Sequence, residues 1–275
     1  MSRIIRSFNW IVVFWALGLC GCSEPTPSEA PKTAEPAART EDGSKKTIIL
    51  SAAASTKEVM EALADQFKTE TGTEVKVNLG SSNALAEQIL AGAPANLFLS
   101  ANQQWADEIQ RAGQVEAAAR LLTNRLVLVV PAGNPGGVHK PEDLLSDKVK
   151  KIALAGEKVP AGMYADQSLE KLGLLKQLTD ANKIVRGQDV RSALSYVERG
   201  EAEAGIIYST DVGSAKEVTV AYEFDPKLHD EIVYVLVLLK HSSDNPEGRK
   251  LFEFLQSPTA NTVYAKFGFS RLSQN

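Results

Sequence analysis

The chain has 275 residues, 44% of them hydrophobic, with 30 Lys and Arg against 34 Asp and Glu for a formal charge of -4. That supports a substantial core, in one large domain or two smaller lobes, and excludes a disordered protein. The absence of a long basic run argues against a nucleic-acid partner, and the only two cysteines, Cys20 and Cys22, lie so early that the rest of the chain has no disulfide framework or Cys metal site.

Arg3 and Arg6 precede an apolar run, 11–19, which is too short for an ordinary membrane span and suits the core of an export signal. Its end, Leu19-Cys20-Gly21-Cys22, resembles a bacterial lipobox. Residues 1–21 are therefore expected to be a lipoprotein signal peptide, with Cys22 lipidated as the mature N-terminus. Residues 22–46 contain Pro25, Pro27, Pro31 and Pro36 and almost nothing apolar, so they read as a disordered tether holding the folded part off a membrane surface.

From residue 47 strand-like and helix-like segments alternate. Residues 47–50 are β-branched and apolar like a buried parallel strand, and Val59, Met60, Leu63, Ala64 and Phe67 then repeat at helical spacing. Ser55 falls at the junction, where it either caps the helix in a box with Glu58 or helps the free N–H groups there hold an anion. Further strands are expected at 74–79, 96–100, 126–130, 152–154, 184–186, 204–208, 218–222 and within the apolar run 232–239. Helices are expected at 84–90, 103–112, 163–172, from 189 to about 200, at 246–256 and at 259–267. This alternation predicts an α/β fold of mostly parallel sheets flanked by helices.

Enzyme signatures are missing. His139, His229 and His241 are scattered without metal-ligand spacing and read as surface or loop residues, and there is no G-x-S-x-G, P-loop or G-x-G-x-x-G motif. The chain offers instead a set of strand-end loops rich in small and hydroxyl residues. Gly80-Ser81-Ser82-Asn83 suits a backbone nest or helix start. In Val159-Pro160-Ala161-Gly162 the proline stiffens the approach to a helix and Gly162 allows close approach to the backbone. Asp189 reads as an N-cap that leaves the Val190 N–H free, and Tyr208 as a half-buried phenol with a wet tip.

Five motifs, Ala52-Ala53-Ala54-Ser55, 93–101 (APANLFLSA), 159–164 (VPAGMY), 189–194 (DVRSAL) and 205–211 (GIIYSTD), resemble in order and spacing those of the periplasmic molybdate-binding proteins of bacterial ABC importers, the ModA family. The resemblance covers 47–272. It implies the type II periplasmic-binding-protein fold, with 47–125 and 234–275 as one lobe, 126–233 as the other, and the ligand in the interlobe cleft. It implies a binding protein rather than an enzyme, a monomer without cofactor that delivers molybdate or tungstate to a membrane permease. Carried over by motif, the oxyanion contacts are Ser55, Ser82, the backbone at Ala161 and Val190, and the Tyr208 hydroxyl, with no direct cation ligand. Two features depart from the family pattern: Asn96 stands where relatives usually have Asp, and the lipoprotein tether replaces a freely soluble form. Binding of sulfate, phosphate or a small organic anion is the alternative, and an enzyme on the same fold a more distant one. An organic carboxylate usually calls for an arginine clamp, and Arg191, the only such side chain in these loops, is expected to face away.

Overall fold

A computed structural model describes residues 47–242 and 245–272. The expected signal peptide, Cys22 and the tether lie outside the described residues.

Strand β1 (Thr47–Ala53) is followed by a single 3-10 turn, Ala54–Thr56, and helix α1 (Lys57–Thr71). The helix buries the five residues whose spacing predicts it, Val59, Met60, Leu63, Ala64 and Phe67. It stops at Gly72, whose φ of 74° is the left-handed conformation that glycine adopts without strain. Then come β2 (Glu74–Gly80), α2 (Ser82–Leu90), β3 (Leu97–Ser100), α3 (Gln103–Arg111) and β4 (Val115–Thr123). Asn96 ties two strands together, since its Oδ1 accepts the Ile49 N–H at 2.8 Å and its own N–H donates to Ile49 O at 2.8 Å, which pins the start of β3 to β1.

The chain continues through β5 (Leu126–Pro131), β6 (Ile152–Ala155), α4 (Pro160–Lys171), α5 (Leu175–Asp180), β7 (Ile184–Gly187), α6 (Val190–Glu198), β8 (Ala204–Tyr208), α7 (Ser209–Val212) and β9 (Val218–Glu223). It closes with β10 (Val233–Leu239), α8 (Pro246–Phe254), α9 (Pro258–Lys266) and β11 (Ser270–Arg271). These elements form two lobes around two sheets. One sheet has six strands in the order β11-β4-β10-β3-β1-β2, the other five in the order β7-β6-β8-β5-β9.

Parallel pairing is confined to β1 with β2 and β3, and β6 with β7 and β8. The remaining strands run antiparallel, so each sheet is mixed and less parallel than strand–helix alternation suggests. The reason is connectivity. Strands β5 and β10 enter their sheets directly from the other lobe rather than through a crossover helix, and a parallel neighbour requires such a crossover.

Strand β4 is the element the sequence conceals. Its VEAAARLLT has helix-forming composition, yet it pairs along seven residues with β10, whose own VYVLVLL is buried throughout. Tertiary pairing against a fully buried strand outweighs local propensity here.

Candidate functional site

The strand-end loops converge. Ser55, Ser82, Ala161, Val190 and Tyr208 line one small cavity, together with Gly80, Ser81, Pro160 and Asp189 among others. The space open to the centres of water-sized atoms is about 10 Å³, on the order of one water or the closely spaced oxygens of one small ion. A larger hollow of about 410 Å³ shares Ser55 but is walled by Glu58, Arg125 and Lys266. Of the two, only the small cavity is lined by a buried side-chain group without a partner, the Tyr208 hydroxyl.

Each wall of that cavity follows from local chemistry. Ser55 sits inside the 3-10 turn and is 3% exposed. It does not cap α1, and no side chain does, because the extra turn moves its hydroxyl off the helix axis to 2.9 Å from the Tyr234 hydroxyl. Glu58, the expected partner in a capping box, instead forms an ion pair with Arg191. Thr56 turns its hydroxyl back onto Ala53 O at 2.7 Å.

Ser82, the first residue of α2, is also buried, and its Oγ accepts the Ala101 N–H at 2.9 Å. Helix geometry leaves the first four N–H groups of a helix without an internal acceptor. In α4 the first bond is from Met163 N–H to Val159 O at 2.9 Å, and Pro160 has no N–H, so the Ala161 and Gly162 N–H groups remain at the buried helix start. In α6 the Asp189 carboxylate caps the Ser192 N–H at 2.7 Å and the Ser192 hydroxyl at 2.8 Å, which leaves the Val190 N–H at the positive end. One oxygen of that carboxylate, Oδ1, is thereby engaged within its own helix.

Tyr208 ends β8 and is 1% exposed, more deeply buried than a phenol with a wet tip. Its ring is wedged between Tyr164 and Tyr234, with centroids 6.5 and 5.9 Å away. Its hydroxyl has no hydrogen-bond partner, and burial raises its pKa well above the ordinary phenol value, so the proton stays in place. A buried O–H without an acceptor costs about 1–3 kcal/mol, which makes it the clearest sign of a missing acceptor in the cavity.

Gly162 does allow close approach to the backbone, as its loop suggests. A Cβ there would lie 2.2 Å from Gly156 O and 2.5 Å from Ala155 O, so it is this chain's own β6 end that comes close, bringing the α4 start into the cavity wall. His229 lies in a loop, as expected, but is buried rather than on the surface, its Nδ1 2.7 Å from Asp230 O and its ring tilted against Tyr164 with centroids 5.7 Å apart. Among the described residues no cluster of three His, Cys, Asp or Glu side chains is placed to hold a metal.

Three participants are not evident from the loops alone. Tyr234 is the one polar side chain in the VYVLVLL run, and Asn124 lies in the β4–β5 connection beside it. Asp211 is wholly buried, with Arg191 Nε 2.9 Å from its Oδ1 but off the line of a hydrogen bond. Arg191 does face away from the cavity, as expected.

The model of the bacterial extracellular solute-binding protein family matches residues 48–270. The chain belongs to this family. It is thus a binding protein and not an enzyme. Among its relatives is the molybdate-binding protein ModA of Escherichia coli (strain K12), 36% identical over 233 residues that span 81% of this chain and 88% of the relative. Another is the Bacillus subtilis (strain 168) protein YvgL, provisionally named an ABC transporter substrate-binding lipoprotein, 37% identical over 235 residues, 84% of this chain and 89% of that one. The fold matches the periplasmic molybdate-binding protein of Azotobacter vinelandii with a TM-score of 0.72 at 24% identity, covering 82% of this chain and all of that one (100%).

Proposed function

We propose that this binding protein captures molybdate, and tungstate equally, in the cavity between its lobes and hands it to the permease of an ABC importer. The observation that carries the reading is the buried, partnerless Tyr208 hydroxyl, which shares its cavity with two serine hydroxyls and two helix starts. Ser55, Ser82 and Tyr208 would donate through their hydroxyls, Ala161 and Val190 through their N–H groups. Neutral donors of this kind stabilise a dianion without the desolvation that a buried Lys or Arg would require. No Lys or Arg is among the described residues lining the cavity.

The lobes divide, on this reading, at 125/126 and 233/234, where the chain passes between the two sheets. Cross-cleft bonds such as Trp105 Nε1–H to Lys158 O at 3.1 Å then hold a closed state, and ligand binding drives the hinge. The protein acts as a monomer held to the envelope by lipid on Cys22, a reading favoured by the name of the Bacillus relative.

Titration calorimetry of the purified protein with molybdate, tungstate, sulfate and phosphate at pH 7 is the test. Molybdate and tungstate are fully deprotonated and accept from every donor, sulfate is too small for the same shell, and phosphate brings an O–H for which such a shell has no acceptor. Tight binding of the first two is expected, with sulfate weaker and phosphate weaker still. Comparable binding of phosphate would overturn the reading.

A further inference from the structure

Hydrogen-bond direction can be traced inward from the β4–β5 connection. The Arg125 N–H can only donate, and it lies 2.8 Å from one terminal atom of the Asn124 side chain, which must therefore be Oδ1; the Ser209 hydroxyl donates to the same oxygen at 3.1 Å. The other terminal atom is then the NH2. It donates to Thr210 Oγ1 at 2.8 Å and to the Tyr234 hydroxyl at 3.3 Å.

Tyr234 is 0% exposed, and its oxygen is already an acceptor for Asn124, so its single proton needs an acceptor elsewhere. Ser55 Oγ, at 2.9 Å, is the hydrogen-bond partner left to it. Accepting that proton, Ser55 must turn its own proton away from Tyr234, which leaves it available to an acceptor in the small cavity that Ser55 lines. Ser82 is fixed in the same sense by a simpler device, since the Ala101 N–H occupies its oxygen at 2.9 Å.

We propose that Tyr234, oriented by Asn124, is a specificity-determining positioning residue: it locks Ser55 as a donor and so makes the cavity discriminate between fully deprotonated oxyanions and those that still carry a proton. Tyr234 does not line the cavity, and its hydroxyl acts through Ser55. The inference rests on the reading of the cavity as an oxyanion site, and it explains how hydroxyls, which can accept as well as donate, come to form a shell that rejects a protonated ligand.

The test is a cycle of Tyr234→Phe, Ser55→Ala and the double variant in the full protein, each titrated at pH 7 with molybdate, sulfate and phosphate. Phenylalanine keeps the ring, and Asn124 keeps Thr210 as acceptor, so the variant should fold, which thermal unfolding would verify. With Tyr234→Phe the Ser55 hydroxyl is free to accept from a phosphate O–H. The preference for the dianions over phosphate should fall about tenfold, the worth of one hydrogen bond. In the Ser55→Ala background the same replacement should change nothing. An unaltered preference, or an equal loss in both backgrounds, would overturn the proposal and leave Tyr234 a packing residue. Because the readout is a ratio between dianions and phosphate, it stands if the unaltered protein prefers sulfate to molybdate, which would overturn only the choice of ligand. Absence of any anion binding by the unaltered protein would overturn both.

Discussion

Replacing Tyr208 by phenylalanine separates a ligand-binding hydroxyl from a structural one, because the two roles predict opposite signs. The ring is held by Tyr164 and Tyr234, contacts that phenylalanine retains, while the hydroxyl alone lacks a partner. In the closed, empty protein that O–H costs about 1–3 kcal/mol, a cost relieved either by the substitution or by opening the cleft to water. The unfolding temperature of the ligand-free protein should therefore hold or rise, by up to about 2–4 °C for each kcal/mol relieved in a domain of this size. With the anion bound, the hydroxyl makes a charge-assisted bond worth about 1.5–3 kcal/mol, so the same change should weaken molybdate about 10- to 150-fold. Thermal unfolding with and without molybdate, together with calorimetric titration, reads both numbers. The expected pattern is a flat or higher ligand-free midpoint with a smaller shift on adding molybdate. A lower ligand-free midpoint with intact affinity would mean that the Tyr208 hydroxyl serves the fold, and the reasoning from its orphan state would fail.

Ser82→Ala should differ from this pattern, since it removes a cavity donor and also strands the buried Ala101 N–H: binding should weaken and the ligand-free midpoint should drop, by about 1–3 kcal/mol in denaturant titration. Gly162→Ala drives a methyl group into the carbonyls of Gly156 and Ala155, so a loss of about 3 kcal/mol or more is expected, and a variant as stable as the parent would show that the α4 start can shift. Burial raises the Asp211 carboxyl from 3.8 to about 7, with Arg191 opposing and Glu58 and Asp189 adding to the shift. Between those values the native state holds a proton that the unfolded chain has released, so stability falls as pH rises across the window, by up to about 4 kcal/mol, and Asp211→Asn should flatten the slope in unfolding measurements at pH 4 to 8. Cys22→Ser should release the protein from the membrane fraction, and continued retention would place the anchor elsewhere.

The site was more legible in the sequence than the strands that support it. Short-range patterns marked the strand-end loops, the family resemblance picked Ser55, Ser82, Ala161, Val190 and Tyr208 from them, and these five line one cavity because each stands at a strand end or helix start. The capping role of Asp189 could be read the same way. What stayed hidden depends on partners far along the chain. Nothing near Ser55 announces that its hydroxyl will meet Tyr234, 179 residues away. Strand β4 likewise becomes a strand only when β10 arrives to pair with it. The capping box failed for a local reason, one extra 3-10 turn, which carries the side chain off the helix start and which no spacing rule separates from a direct helix start.

Arg191 joins these two scales. Its backbone belongs to a helix start at the cavity, yet its guanidinium lies on the far side, paired with Glu58 across the lobes and with buried Asp211 in its own lobe. One cation faces two carboxylates, so it can offset only one. Asp211, 0% exposed, is relieved by taking up a proton near neutrality. Paired in this way, the guanidinium is held on the side away from the cavity. The described lining of the cavity therefore holds no Lys or Arg even though a cation stands one residue from Val190. The proposed selectivity by proton count depends on that, since a mobile arginine would hold sulfate, phosphate and molybdate alike.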